Sequence, residues 1–509
     1  MIAKVVSSAV LGIEAYLVDV EIDLAKGLPA FNLVGLPDAA VKEARERVRA
    51  AIKNSAFQFP VKRITANLAP ADIKKEGAAY DLPIAIGILA AQGIVEEESL
   101  KDYVVVGELS LTGELRSIKG ALPMAIQAKE EGKVGIILPP SNAKEAAVVE
   151  GIEVIPVNSL LETIDFLNNN EIKNRIDVNY RLDLEPDYKV DFAEVKGQAA
   201  AKRALEIAAA GGHNVIMIGP PGSGKTMLAR RIPTILPNLS LDEAIELTKI
   251  HSILGLLSTD EALISRRPFR SPHHTTSNAG MIGGGRIPQP GEVSLSHHGV
   301  LFLDELPEFN RNVLEVLRQP LEANEVTISR SLTTLTYPAN IMLVAAMNPC
   351  PCGFFGDASQ KCSCSHYQVE RYLNKVSGPL LDRIDIHIEV PRLDPDVLAS
   401  SPTGESSAEI RSRVNQVRQI QQQRFEGEEI NCNAEMSGKL LEEHCNLTKE
   451  GQKLLRSAIE RLNLSARAYD RILKLGRTIA DLDNESMIEV DHIAEAIQYR
   501  DLDRKLFVS

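Results

Sequence analysis

Four apolar segments punctuate the middle of this chain: Val215-Ile216-Met217-Ile218, Val300-Leu301-Phe302-Leu303, Ile341 to Ala346, and Ile384 to Val390. Each is short and bounded by turn or polar residues, the pattern of a strand buried on both faces. Strands of this kind with helical stretches between them predict an α/β fold around an open, mostly parallel sheet, whose ligand crevice lies at the carboxyl ends of the strands. Before this region, β-rich runs (Ala15 to Ile22, Tyr103 to Val106) alternate with helical ones (Ala39–Ser55, Pro123–Glu131). A polar stretch from Asn168 to Asn174, followed by Asp187-Tyr188-Lys189, reads as a linker. Beyond Ser400-Ser401-Pro402-Thr403-Gly404 the pattern turns helical, with Ile410, Val414 and Val417 and then Ile472, Leu475, Ile479 and Leu482 at helical spacing. The boundaries that follow are 1–165, a linker at 166–190, a core at 191–395 and a helical region at 396–509.

The residues at the strand ends carry the chemistry. The first strand runs into Gly219-Pro220-Pro221-Gly222-Ser223-Gly224-Lys225-Thr226, and a helix begins at Met227. This is a complete phosphate-binding loop in the strand–turn–helix setting it needs. Glycines let backbone N–H groups curl around phosphate oxygens, the helix start adds favourable partial charge, Lys225 reaches the β- and γ-phosphates, and the Thr226 hydroxyl holds Mg²⁺. The second strand ends in Asp304-Glu305. Asp304 is placed to hold Mg²⁺ through its water shell, and Glu305 to orient and deprotonate an attacking water. The third ends in Met347-Asn348, where an amide could bond the γ-phosphate or that water. ATP with Mg²⁺ is the expected ligand.

Size and composition narrow the class. A chain of 509 residues exceeds one core, and 44% hydrophobic with 25% charged residues is ordinary globular composition. Apolar runs long enough for a membrane span are lacking, and Glu14, Asp19 and Glu21 interrupt any signal-peptide pattern, so a cytoplasmic location is expected. The net charge of −13 argues against wholesale coating of nucleic acid but leaves a local basic surface open. Such a surface is offered by the acid-free segment Ala262 to Gly291, with Arg266, Arg267, Arg270 and Arg286, and by Arg330 in a segment (Glu325 to Tyr337) that alternates like a β-hairpin. These five arginines are candidate contacts to a phosphate backbone; the alternative is an ordinary solvated loop, since no aromatic stacking platform interleaves with the arginines. His297-His298 reads as packing rather than metal ligation.

Four of the six cysteines form two C-x-C elements, Cys350-Pro351-Cys352 and Cys362-Ser363-Cys364. Two tight turns of thiolates can close a structural Zn²⁺ site that staples the loop after Asn348, with His366 as a substitute ligand. Free reduced thiols or redox chemistry are the alternatives. Cys432 and Cys445 read as isolated and inert.

Together the segments Val195-Lys196-Gly197-Gln198, the phosphate loop, Arg270 to Thr275, Gly299 to Glu305, Asn348 to Gly353, Gly378 to Asp385, and Ser465 to Ala468 resemble the AAA+ superfamily, and within it the YifB/ComM family of magnesium-chelatase-like ATPases. The resemblance covers nearly the whole chain. It implies a P-loop AAA+ core with a helical lid, Asn348 as sensor 1, Arg383 as an arginine finger reaching a neighbouring subunit's ATP, and Arg467, in the lid, as sensor 2. Bland alternatives remain: Arg383 is flanked by Asp382 and Asp385, and Arg467 shares a helical face with Arg471 and Lys474. Residues 1–165 resemble the α+β proteolytic domain of Lon proteases (an S5 domain 2-like fold), carried by Lys75 to Ala79 and Val106 to Gly132. The serine and lysine of that dyad fall at Ala79 and at or near Met124, so peptidase activity is not expected. The family resemblance further implies a homo-oligomeric, hexameric ring that moves branched or single-stranded DNA in recombination. A metal-insertion motor like that of magnesium chelatase and an ATP-dependent protein remodeller are the alternatives.

Overall fold

In a computed structural model of the chain, residues 2–169, 188–286, 288–330, 334–357, 360–399, 404–462 and 465–500 are described. Most of the expected linker, along with Ser400–Thr403 and the tip of the expected hairpin at 331–333, lies outside them. The chain divides into two compact units: Met1–Asp183 with Leu241–Ile264, and Leu184–Ser240 with Ser265–Ser509. Among the described residues no helix is long and apolar enough to cross a membrane.

The first unit is built on a seven-stranded mixed sheet. Its strands are β1 (Ile2–Leu11), β2 (Glu14–Ala25), β3 (Ala30–Val34), β4 (Arg63–Ala69), β5 (Tyr103–Val105), β6 (Gly135–Leu138) and β7 (Glu153–Pro156), in the order β3-β4-β2-β1-β5-β6-β7. Helix α1 (Ala39–Asn54) starts where the Asp38 carboxylate accepts from the Val41 N–H, and it buries Val41, Ala44, Val48, Ala51 and Ile52 on one face. Helix α2 (Asp81–Ala90) is buried all round. Its Asp81 carboxylate takes two bonds from Arg47, at 2.6 and 3.0 Å, which is how a buried charge is tolerated. Helix α4 (Leu160–Asn169) completes this core, while α3 (Ala121–Glu130) packs Ala121, Met124, Ala125 and Ala128 into a second cluster with Val104 and Ile136.

One finding departs from the expected boundaries. Residues Leu241–Ile264 had been assigned to the 191–395 core, yet their contacts belong to the first unit. The helix Leu241–Leu254 buries Ala244, Leu247 and Ile250. The Gly120 N–H bonds the Ser252 carbonyl at 3.0 Å, and Lys249 pairs with Glu14 at 3.2 Å.

The second unit has a five-stranded, wholly parallel sheet. Its strands are β8 (Val215–Ile218), β9 (Phe269–Arg270), β10 (Gly299–Leu303), then β11 (Glu325–Ser329) and β12 (Thr334–Pro338) as a separate antiparallel hairpin, β13 (Ile341–Met347) and β14 (Ile386–Glu389). The sheet order is β9-β10-β13-β8-β14, so β13 is central and β8 lies between it and the edge strand β14. All residues of β8, β10 and β13 are buried, as a sheet covered on both faces demands. Helix α5 (Ala199–Gly211) packs beside β14, and α6 (Lys225–Arg231) follows the phosphate loop. Four helices, α7 (Ser407–Arg424), α8 (Lys449–Leu462), α9 (Ala466–Leu482) and α10 (Val490–Gln498), contribute Ile410 and Val414; Leu455; Ile472, Leu475 and Ile479; and Ile493, respectively, to the same core as the sheet. Ser406 and Glu409 form a capping box at α7, and Ser465 caps α9.

Candidate nucleotide site

The loop from Gly219 to Thr226 wraps the end of β8. Its first N–H is bonded to the Met347 carbonyl at 3.2 Å, and a Cβ on Gly219 would lie 2.1 Å from the Val390 carbonyl oxygen, so only glycine fits between the two flanking strands. Gly222 and Gly224 sit at φ +76° and +94°, left-handed backbone that glycine adopts without strain. Gln198 braces the loop from behind, donating to Pro391 O at 2.7 Å and Ser223 O at 3.3 Å.

Side chains from three strand ends converge here. Lys225 is largely buried, and its ammonium donates to the carbonyls of Gly219 and Pro220 at 2.7 and 3.0 Å and to Asn348 Oδ1 at 3.3 Å. Burial lowers its pKa, opposed by Asp304 and Glu305. Thr226 Oγ1 donates to Asp304 Oδ2 at 2.8 Å. Asp304 Oδ1 accepts the Glu305 N–H at 3.0 Å, and Glu305 itself takes φ +53°, unusual for a residue with a side chain. That turn points Glu305 outward, 58% exposed, with His274 Nδ1 3.9 Å away. Lys225, Thr226, Asp304 and Asn348 are thus one bonded cluster, with Glu305 at its rim.

The two arginines read as acting on nucleotide are differently placed. Arg383 is only 9% exposed; it pairs with Glu322 and donates to Pro379 O at 2.5 Å. Its partner is neither Asp382 nor Asp385. Those two acids bind residues of α9 instead: Arg467, 64% exposed, lies 3.6 Å from Asp382, and Arg471 lies 3.2 Å from Asp385. Asp385 also meets His213 Nδ1 at 3.2 Å, while His213 Nε2 is 2.9 Å from Thr478 Oγ1. Burial pushes the Asp385 carboxyl up, but His213, Arg471 and Lys474 outweigh it and bring it down to about 2. Sequence reasoning missed Glu322, His274 and this buried network; adjacency along the chain carries no signal for any of them.

The five basic candidates divide. Arg267 donates to the carbonyls of Pro237, His298 and Asn238 at 2.6 to 3.2 Å, and Arg270 holds Glu292 through two bonds of 2.7 and 2.8 Å. Both are committed within the chain, which corrects their reading as open cations. Arg266, Arg286 and Arg330 are exposed. Arg330 bonds the Gly285 carbonyl at 3.3 Å and the Tyr337 hydroxyl donates to Pro288 O at 2.7 Å, so the β11–β12 hairpin lies against the small ribbon pairing Gly283–Gly284 with Gln289–Pro290. His297 Nδ1 accepts the Asn340 N–H at 3.0 Å.

The four clustered cysteines meet. Their sulfurs all lie within 4.8 Å of one another, with Cys350–Cys352, Cys352–Cys362 and Cys350–Cys362 at 3.3, 3.5 and 3.7 Å. A tetrahedral ion with bonds of ~2.3 Å needs sulfurs about 3.8 Å apart, so the donor set fits one zinc. The N–H groups of Phe354 and Ser363 hold the Cys352 thiol down at about 5, whereas at Cys362 the Cys364 N–H is outweighed by burial and the neighbouring thiols, which raise it to about 12, and burial raises Cys364. His366 is not in this cluster. Cys432 and Cys445 are buried, and burial raises both thiols to about 12, consistent with inertness.

Residues 191–398 match the family described as magnesium chelatase, subunit ChlI; residues 20–142 match the subunit ChlI of Mg-chelatase family, and 404–500 the ChlI C-terminal family. The chain is 46% identical to the competence protein ComM of Haemophilus influenzae, over 99% of this chain and 98% of that one. It is 44% identical to YifB, an uncharacterized protein of Escherichia coli, over 98% and 97%. It is 28% identical to the magnesium-chelatase 67 kDa subunit of Chlorobaculum parvum, over 31% of this chain and 23% of that one.

Proposed function

The chain belongs to the magnesium-chelatase-like family that includes ComM and YifB, and on that footing we propose that it is a ring-forming, ATP-hydrolysing DNA motor of the helicase or branch-migration type, acting in DNA recombination or natural transformation. The observation that carries the hydrolytic part is the bonded cluster at the strand ends: Lys225 on Asn348, and Thr226 on Asp304. Thr226 and Asp304 are the pair that would hold a magnesium ion, which when bound neutralises charge across the β- and γ-phosphates. Lys225 exchanges its loop carbonyls for phosphate oxygens, Asn348 steadies the γ-phosphate or the attacking water, and Glu305 takes that water's proton at its carboxylate. Arg383 serves the neighbour's nucleotide, where a guanidinium offsets charge spreading over the γ-phosphoryl oxygens, and Arg467 closes from the lid.

For DNA, the supporting feature is the pair of abutting ribbons that carry exposed Arg286 and Arg330. Placed toward the centre of a hexameric ring, they would offer a polyanion a cationic track. The name of the Haemophilus relative, a competence protein, accords with DNA as cargo. The first unit is read as a Lon-like tier without peptidase chemistry, since half-buried Ala79 and buried Met124 supply neither nucleophile nor base. The four cysteines are read as a structural zinc site.

The test is ATP turnover with and without forked and four-way DNA. Stimulation that disappears in an Arg286→Ala/Arg330→Ala variant, while basal turnover persists, supports the motor. Stimulation confined to a porphyrin-binding partner protein would instead favour a chelatase motor, the reading that the Chlorobaculum relative suggests. A chain indifferent to every DNA form refutes the proposal.

A further inference from the structure

The cysteine turns do more than staple the loop after Asn348, because one of them leans on the phosphate loop. Asn348-Pro349-Cys350-Pro351-Cys352-Gly353 runs straight off β13, and its two prolines fix φ and stiffen the path. The Gly353 N–H closes the turn on the Cys350 carbonyl at 3.0 Å. Gly353 takes φ +86°, and a Cβ on it would lie 2.5 and 2.7 Å from Cδ and Cγ of Pro221. The turn and the phosphate loop are therefore in van der Waals contact with no room for a methyl group. On the other side, the Arg392 guanidinium lies 5.9 Å from the centre of the Phe354 ring and donates to the Pro221 carbonyl at 3.4 Å. Pro221 is thus held between residues that directly follow Cys352 and a residue just past β14.

We infer that the Cys350/Cys352/Cys362/Cys364 turn is a wall of the nucleotide site, and that a metal ion on its thiolates sets ATP affinity by fixing Gly353 against Pro221. The inference rests on the ATP and zinc readings above. Phosphate binding needs the loop's N–H groups to converge on one point, so a loop whose outer face loses its support holds its ligand more weakly. With an ion in place, the Cys350–Gly353 turn is pinned at Cys350 and Cys352 to the second turn; without it, the shape rests on the 3.0 Å turn bond, the prolines and the weaker N–H···S bonds from Phe354 and Ser363 to Cys352. The same contact gives the site a glycine requirement unrelated to the phosphate loop's own glycines.

The experiment uses full-length protein, elemental analysis for zinc, a fluorescent ATP analogue for affinity, and thermal unfolding to show that each variant is folded. The natural chain should carry near one zinc. A Cys362→Ser/Cys364→Ser variant should carry none and bind the analogue about tenfold more weakly. Gly353→Ala, with all four thiols intact, should keep its zinc and still bind several-fold more weakly. Natural affinity in a folded, zinc-free double variant would overturn the metal dependence, and natural affinity in Gly353→Ala would overturn the wall. If the natural chain carries no metal, the zinc reading and the metal dependence fall together while Gly353→Ala still decides the wall. If it fails to bind the analogue at all, the nucleotide reading fails and takes this inference with it.

Discussion

Replacing Asp385 by asparagine removes the one negative charge that a buried cation and an imidazole share. In the natural chain the carboxylate lies 3.2 Å from Arg471 and 3.2 Å from His213, and it is held at about 2 against an ordinary 3.8. At ~1.4 kcal/mol per pH unit, that interval corresponds to about 2 kcal/mol of stability. Asparagine also removes the carboxylate that Arg471 meets at 3.2 Å, which brings the expected loss to ~3–4 kcal/mol. For a unit of this size such a loss lowers the melting temperature by about 5–6 °C, read on the calorimetric transition that ATP analogues shift upward. The sign of the pH dependence follows from a lowered carboxyl: its contribution is fully present above pH 3.8 and is lost as pH falls toward about 2. The gap between natural and variant protein should therefore stay constant through neutral pH and narrow in acid below about pH 4. In an Arg471→Gln background the same change should cost at least 1 kcal/mol less, to order of magnitude, because the pair is already broken. A drop of under ~2 °C, or equal costs in both backgrounds, would show that the network does not bind α9 to the sheet.

Lys225→Ala should abolish binding of ATP analogues in equilibrium titration; retained micromolar affinity would refute its assignment. Glu305→Gln should bind ATP normally yet turn it over at least ~100-fold more slowly, since the amide cannot take the water's proton. Arg383→Ala should leave affinity intact and remove hydrolysis in assembled particles, and mixing it with Glu305→Gln subunits should restore some turnover if the guanidinium works across the subunit boundary.

Strands buried on both faces announce themselves as unbroken apolar runs, and so β8, β10 and β13 could be read from sequence nearly to the residue. Helix α2 could not, because burial all round leaves no apolar stripe against a polar one. Strand β1 was hidden by its own polar residues: Ser7 and Ser8 are buried within it, and Lys4 is paired with Asp19. At the site, whatever is contiguous in sequence was legible, namely the loop, Asp304-Glu305 and Asn348. Partnerships made by folding were not. Glu322 reaches Arg383 from 61 residues away, and proximity along the chain points to Asp382 and Asp385, which turn to α9 instead. Arg267 and Arg270 looked like part of a cationic surface because their segment lacks acids, but carbonyl oxygens and the acid just beyond it, Glu292, claim them.

The passage of the chain between its two units has a practical consequence. Residues Leu241–Ile264 leave the second unit, join the first and return, so the polypeptide crosses the division three times and not once. Cutting between residues 183 and 184 would not free either half, since two covalent strands would still run between them. A shortened gene starting after the cut would make a protein whose Leu241–Leu254 helix keeps its apolar side chains but has lost α3, against which it packs. Such a truncation invites clumping and proteolysis, and a dead product from it would say nothing about whether the ATPase needs its front half. Dissection of this molecule has to excise the 24-residue excursion along with the first 183 residues, closing the gap from Ser240 to Ser265 with a short bridge.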